Sequence, residues 1–246
     1  MSQSVTPLDT VRPSRLRSDF LISVAATLVV MLVLHTMVFA VDPMALGAFA
    51  LFGISAFILW VKLPLDYPHS RFGACNAVTL LRAGLGASLL TPLLTGDPAA
   101  GPWSDWVVVG VAVIALSLDG VDGWLARRSG LASSYGARFD MEVDAALALI
   151  LALHALADGL VGPVVLLLGL MRYAFVAASY PLPWLSAPLP ESFGRKLVCV
   201  IQIAALIALQ LPFLTVPVAQ WIAFGAVLAL LWSFGRDTIW LWSHRT

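Results

Sequence analysis

Polar positions in this chain are gathered into short intervals between long apolar runs. The first 18 residues are polar and carry Arg12, Arg15 and Arg17, and an apolar run from Phe20 to Val41 follows. Further runs cover roughly residues 44–62, 76–95, 106–127, 137–157, 161–182, 195–211 and 215–235. Each is close to the ~20 residues that a helix needs to cross a hydrocarbon core about 30 Å thick. Pro and Gly mark the joints, at Asp42-Pro43, Gly96-Asp97-Pro98, Gly101-Pro102, Gly162-Pro163, Pro181 to Pro190 and Pro212. The first run exceeds the ~7–15 apolar residues of a cleaved signal peptide, so it is read as a retained helix. The pattern predicts an all-α integral membrane protein, a helical bundle of about eight transmembrane helices.

Lys and Arg refine that count. Arg12, Arg15 and Arg17 precede the first run, Lys62 and Arg71 follow the second, and Arg127, Arg128 and Arg138 flank the fourth-to-fifth connection. Arg195 and Lys196 lie between the sixth and seventh runs, and Arg236 and Arg245 follow the eighth. With eight spans all of these fall on one side, and the opposite connections (42–43, 96–105, 158–162 and 212–214) contain neither residue. That is the positive-inside pattern. It predicts a multi-pass protein with both termini and the 119–144 region in the cytoplasm. Composition agrees, with 60% hydrophobic and 11% charged residues, against about 25% charged in a soluble domain. The formal net charge is zero, which argues against nucleic acid as a partner. Cys75 and Cys199 form no paired motif. Trp103, Trp106, Trp240 and Trp242 are placed as interfacial belt residues. His154 and Asp158, one turn apart, are read as structural or at the far membrane face.

One segment breaks the apolar pattern with chemistry. Residues 119–144 read DGVDGWLARRSGLASSYGARFDMEVD. Asp119 and Asp122 are three apart and Asp140 and Asp144 four apart, so on helices each pair shares a face. The connection around Ser129 to Tyr135 is short, so the two helices run antiparallel and the acidic faces meet. Carboxylates at membrane depth are expensive, and four together require cations. Hard divalent ions, Mg²⁺ or Mn²⁺, match an all-oxygen donor set. The competing reading is an acidic patch neutralised by Arg127, Arg128 and Arg138.

The segment resembles the signature of the CDP-alcohol phosphatidyltransferase family, D-x2-D-G-x2-A-R-x8-G-x3-D-x3-D. All eight fixed positions match: Asp119, Asp122, Gly123, Ala126, Arg127, Gly136, Asp140 and Asp144. The resemblance implies a six-helix core over residues 70–246, preceded by a tail and two additional helices over residues 1–69. It implies that Asp119, Asp122, Asp140 and Asp144 hold two Mg²⁺ or Mn²⁺ ions and that Asp144 is also the general base. Gly123 would leave room for the cytidine or ribose, Arg127 would contact the diphosphate, and Ser133 would offer a hydroxyl to the nucleotide. Asn76, Thr79 and Arg82 resemble the NxxTxxR start of the family's first core helix, which binds the same nucleotide. Alone, NxxT at a helix start also fits a cap.

Arg138, Arg172, Arg195 and Lys196 resemble the basic residues of members that take a phosphorylated acceptor. Salt bridging is the alternative for Arg172, and positive-inside anchoring for Arg195 and Lys196. The implied reaction passes a phosphatidyl group from CDP-diacylglycerol to a small polar alcohol, glycerol-3-phosphate being the first candidate, and releases CMP. The alternative within the family is a CDP-linked small alcohol as donor and diacylglycerol as acceptor. An ion or proton transporter using the acidic cluster is the alternative from another class. The implied setting is a bacterial inner membrane, with membrane lipid as a partner and the chain as a homodimer.

Overall fold

Helix α1 (Pro13–Leu34) runs into a single π turn (His35–Phe39), and α2 (Ala45–Asp66) returns beside it. The computed structural model describes residues 13–39, 43–96, 104–190 and 192–245. The tail with Arg12, residue Asp42, and the stretch 97–103 with Trp103 lie outside them. After α2 come α3 (Gly73–Ser88), α4 (Leu90–Thr95), α5 (Ser104–Ser129), α6 (Ser134–Ala157), α7 (Leu166–Ser179), α8 (Phe193–Ala208) and α9 (Val216–Ser243). No strand occurs among the described residues. The short α4 continues α3 past Leu89. Pro92 has no N–H to give the carbonyl of Ser88, which interrupts the ladder at that turn. Gly96, at φ 70°, then closes α4 in the left-handed conformation.

The eight apolar runs thus become eight helices, with α3 and α4 as one path, and the protein is an all-α membrane bundle. Five of these, Arg15–Phe39, Ala45–Asp66, Gly73–Thr95, Trp106–Ser129 and Val216–Ser243, are long and apolar enough to cross a membrane. Helix α6 has the length, but Arg138, Asp140, Glu142 and Asp144 occupy its first three turns. Two predicted boundaries move. The first core helix starts at Gly73, so Asn76 lies inside its first turn and does not cap it. The last helix runs eight residues past 235 and takes Arg236 and Asp237 into helix.

Helix α3 is the centre of the bundle. Its small residues let neighbours approach: a Cβ at Gly84 would come 2.4 Å from Thr27 Cγ2 of α1. Gly169 does the same for α7, where a Cβ would meet the Leu149 Cα of α6 at 2.5 Å. Close backbone approach is how helices associate in lipid, where apolar burial gives no drive. Two cores result. One joins α3, α5, α6, α8 and α9 through residues such as Leu89, Ala112, Leu151 and Leu206. The other ties α1 and α2 to α3 and the start of α6 through Phe20, Phe52, Leu63, Phe72 and Phe139. The outer faces of α1 and α2 expose Leu21, Ile22, Leu46 and Phe57, the pattern of a helix surface covered by acyl chains.

Buried polar contacts define the two ends of the bundle. At one end His154 Nε2 lies 2.8 Å from the Leu89 carbonyl, and Gln210 donates to Leu151 at 3.1 Å. His154 is therefore a tertiary pin between α6 and the α3–α4 joint. At the other end Tyr135 donates to the Leu59 carbonyl at 3.1 Å and Arg195 Nε donates to Asp237 Oδ2 at 2.8 Å. The aspartates of α5 and α6 lie at this second end.

Candidate active site

Helices α5 and α6 are joined by a turn at Gly130, φ 68°, which any side chain would strain. Ser133 then caps α6, its Oγ accepting from the Gly136 amide at 3.0 Å. The hydroxyl expected to meet a nucleotide is thus engaged in starting the helix. Gly136 lets α6 pass close to α3, because a Cβ there would come 3.1 Å from Asn76 Oδ1 and 3.3 Å from Ser133 Oγ.

This hairpin brings the two acidic faces together. One oxygen from each of Asp119, Asp140 and Asp144 lies within 4.8 Å of the others. Asp122 sits deeper, 4% exposed, and its Oδ2 lies 2.9 Å from Thr79 Oγ1. Between them is Arg82 of α3, 1% exposed. Its Nη1 reaches Asp122 Oδ2 at 2.8 Å and Asp140 Oδ1 at 2.5 Å. Its Nη2 lies 2.9 Å from Asp119 Oδ1 and also donates to Asp144 Oδ1. Nε donates to the Ala115 carbonyl at 3.1 Å. Five acceptor oxygens therefore surround a side chain with five N–H donors. A buried guanidinium needs this degree of pairing to offset its desolvation.

The cation among the carboxylates is thus Arg82, and the flanking arginines are occupied elsewhere or turned away. Arg128 stacks over Trp124, 5.0 Å from the ring centroid, and Arg138 lines an adjoining groove with Lys62. Arg127 lies over Gly123, where a Cβ would meet only its Nη1 at 3.4 Å and Nη2 at 4.0 Å. Gly123 therefore packs no neighbouring helix, in contrast to Gly84 and Gly169, and leaves open surface beside Asp122.

Asn76 is buried under the same end. Its Nδ2 donates to the Phe72 carbonyl at 2.6 Å and to the Tyr67 hydroxyl at 2.9 Å. Tyr67 lies in the link between α2 and α3, and burial pushes its phenol up to about 12, so it stays protonated and donates to Phe72 at 3.1 Å. Asn76 thus fixes the start of α3 and hence the register of Thr79 and Arg82, three and six residues on.

The basic residues divide. Arg172 of α7 is paired with Glu142 of α6, while its Nε is buried without a hydrogen-bond partner among the described residues. Arg195 at the start of α8 is held by Asp237 of α9, which also takes Arg236 Nη2 at 3.0 Å. Cys199 is exposed one turn further along α8 from Arg195. Lys196 projects from the same turn of α8. Sequence reasoning missed Asp237 because the last span was ended at residue 235. An acid inside that apolar segment was the available signal.

The donor set is entirely carboxylate oxygen, and three carboxylates stand at the spacing of a shared ion, so the residues fit a hard divalent cation.

The fold and site together define a membrane helical bundle with a carboxylate cluster at one end and a small-residue opening beside it. The sequence model for CDP-alcohol phosphatidyltransferase matches residues 72–232, and the chain belongs to that family. No curated protein and no solved structure matches it. The protein is accordingly a phosphotransferase of phospholipid biosynthesis. Its family uses CDP-alcohol substrates and an alcohol acceptor in membranes and depends in general on divalent metal. The matched region starts at residue 72, so α1 and α2 stand outside it.

Proposed function

We propose that the chain transfers the phosphatidyl group of CDP-diacylglycerol to the hydroxyl of a small polar alcohol, releasing CMP. The observation that carries this reading is the clustering of Asp119, Asp122, Asp140 and Asp144 around the Arg82 guanidinium, with three of them at the spacing of a shared ion and Gly123 open beside them. Asp119, Asp122, Asp140 and Asp144 would hold Mg²⁺ or Mn²⁺, two ions in all. When bound, they supply charge neutralisation on the diphosphate and polarise the attacked phosphorus. Asp144 accepts the proton of the acceptor hydroxyl as that oxygen bonds to the lipid-side phosphorus and the bond to CMP breaks. Asn76, Thr79, Gly123, Arg127 and Ser133 form the nucleotide side, with Asn76 and Ser133 acting through the helix starts they fix. Arg82 holds the four carboxylates in register from below.

Arg172, Arg195 and Lys196 form the acceptor side. Their positive charge on α7 and at the start of α8, and the unmatched Nε of Arg172, favour an acceptor carrying a phosphate, such as glycerol-3-phosphate. In the same reading the chain crosses the membrane eight times, with the acidic end and both termini in the cytoplasm, in keeping with the one-sided distribution of Lys and Arg.

The test is CMP release by the purified protein with CDP-diacylglycerol, Mn²⁺ or Mg²⁺, and a series of alcohols with and without phosphate. Turnover with CDP-diacylglycerol and a phosphorylated alcohol is expected. Turnover only with a CDP-linked small alcohol and diacylglycerol would reverse donor and acceptor. Cation flux in liposomes without any CDP compound would replace the reading altogether.

A further inference from the structure

Helices α2 and α6 both pack on α3 and meet where Tyr135 donates to the Leu59 carbonyl, and a groove of about 380 Å³ runs between them. One wall is a single face of α2, from Leu51 through Ser55, Ile58 and Leu59 to Lys62 and Asp66. The other is a face of α6, where Val143, Ala146, Leu147 and Ile150 lie deep and Arg138 lies at the mouth. The floor is Ala83, Gly86 and Ala87 of α3, with Arg82 where the groove meets the site. The small floor residues make the hollow. A Cβ at Gly86 would find only Leu147 Cδ1, at 3.7 Å, so this glycine opens space without admitting a helix.

The chemistry changes along the groove. The deep part is apolar, and about 15 residues of α2 at 1.5 Å each span ~22 Å, more than the ~15 Å of hydrocarbon in one leaflet. At the mouth Lys62 and Arg138 are exposed, and neither forms an ion pair among the described residues. Asp66 shares the mouth, while Glu142 is taken by Arg172. Two available cations against one available carboxylate leave an anion-binding balance.

We infer that the α2–α3–α6 groove is a phospholipid site, with one acyl chain along the apolar walls and the phosphate between Lys62 and Arg138. Helix α2 lies outside the region shared with the family, so this chain's N-terminal addition builds half of the site. The groove is lined by none of the four aspartates, so the phosphate and chain are those of an anionic phospholipid that does not react. The inference rests on the membrane reading and not on phosphatidyl transfer.

The test uses the full chain in non-ionic detergent, without divalent cation, and phosphatidic acid carrying a diazirine in one acyl chain. Photolabelling should concentrate on groove positions such as Ile58, Val143 and Leu147. The Lys62→Gln/Arg138→Gln double variant should lower it about tenfold, the scale of one charge-assisted contact. Ala146→Phe, which fills the groove from its α6 wall, should do the same. If that variant fails to fold, the double variant still decides, because it alters only exposed side chains. Displacement of the label by CDP-diacylglycerol as readily as by phosphatidic acid would assign the groove to the donor and overturn the proposal. Displacement by unlabelled phosphatidic acid but not by CDP-diacylglycerol upholds it as a site for a non-reacting lipid. Labelling spread evenly over the outer faces of α1 and α2, equal labelling by a diazirine diacylglycerol, or Ile58→Cys cross-linking two copies would overturn it. No turnover is read, so failure here leaves the transferase reading standing, and a protein that labels without releasing CMP would fail only the latter.

Discussion

Arg82 Nη1 and Asp122 Oδ2 lie 2.8 Å apart, and both side chains are almost inaccessible, at 1% and 5%. The carboxylate that Thr79 also holds is therefore tied to the same guanidinium that reaches the other three aspartates. This makes Arg82 the internal counter-charge of the site. Replacing it with Met should lower stability in metal-free detergent by about 3 kcal/mol, because buried Asp122 and the three half-buried carboxylates beside it are left uncompensated. Adding Mn²⁺ should then raise the melting temperature of Arg82→Met more than that of the wild type, since only the native state binds the ion. Arg82→Lys should fall between, keeping the charge but losing the planar fork. Equal melting of Arg82→Met and wild type without metal would remove this role.

Asp144 and Asp119 both touch Arg82 Nη2, yet the proposed mechanism gives them different duties. Asp144→Asn should reduce CMP release by about 10²–10⁴-fold, the usual worth of a positioned base, and excess Mn²⁺ should not restore it. Asp119→Asn should lose activity chiefly through metal affinity, so raising Mn²⁺ should recover part of the rate. Rate against Mn²⁺ concentration for the two variants separates the roles. Identical rescue curves would return both to simple ligation.

The helices were legible because apolar run length is a strong constraint in lipid, and the aspartate pairs because helical spacing and a short turn force their faces together. What held them was not legible. Arg127, Arg128 and Arg138 are nearest in sequence, but Arg82, some forty to sixty residues away, supplies the charge. Tertiary pairing of that kind has no local signature. Asn76 and Ser133 show a related effect: each matches a nucleotide-binding pattern, and each also forms a hydrogen bond that fixes a helix start, Asn76 donating through Nδ2 and Ser133 accepting through Oγ. The Asp237 contact was hidden by a boundary placed at residue 235, where aromatic and charged residues blur the end of α9.

The glycines allow a sharper separation of packing from chemistry. At Gly123 an added methyl meets only the Arg127 guanidinium at 3.4 Å, whereas at Gly169 it meets the Leu149 backbone at 2.5 Å. Gly123→Ala should keep or slightly raise the melting temperature, since Ala gains up to about 1 kcal/mol of helix propensity. Its KM for the CDP-linked substrate should rise as the opening narrows. Gly169→Ala should destabilise the protein, because backbone must move to admit it. Thermal melting and substrate titration of the two variants, side by side, check this. A Gly123→Ala protein that melts early would place this residue in packing.

Asp237 is the last carboxylate of the acidic end and does not touch the cluster. It holds Arg195 Nε at 2.8 Å and Arg236 Nη2 at 3.0 Å, itself only 8% exposed. If Arg195 faces a phosphorylated acceptor, Asp237 is what aims it, and Asp237→Asn should act through that aim. The amide can still accept one hydrogen bond but no longer balances two guanidinium groups, so about 1–3 kcal/mol of stability should be lost. KM for a phosphorylated acceptor should rise about tenfold, the value of one charge-assisted phosphate contact. KM for CDP-diacylglycerol and kcat at saturating acceptor should change little, which a purely structural role would not predict. Acceptor titrations of Asp237→Asn and Asp237→Glu make the comparison, with Glu expected to recover most of the affinity by restoring the charge. Parallel losses in both KM values and in kcat would assign Asp237 to the scaffold alone.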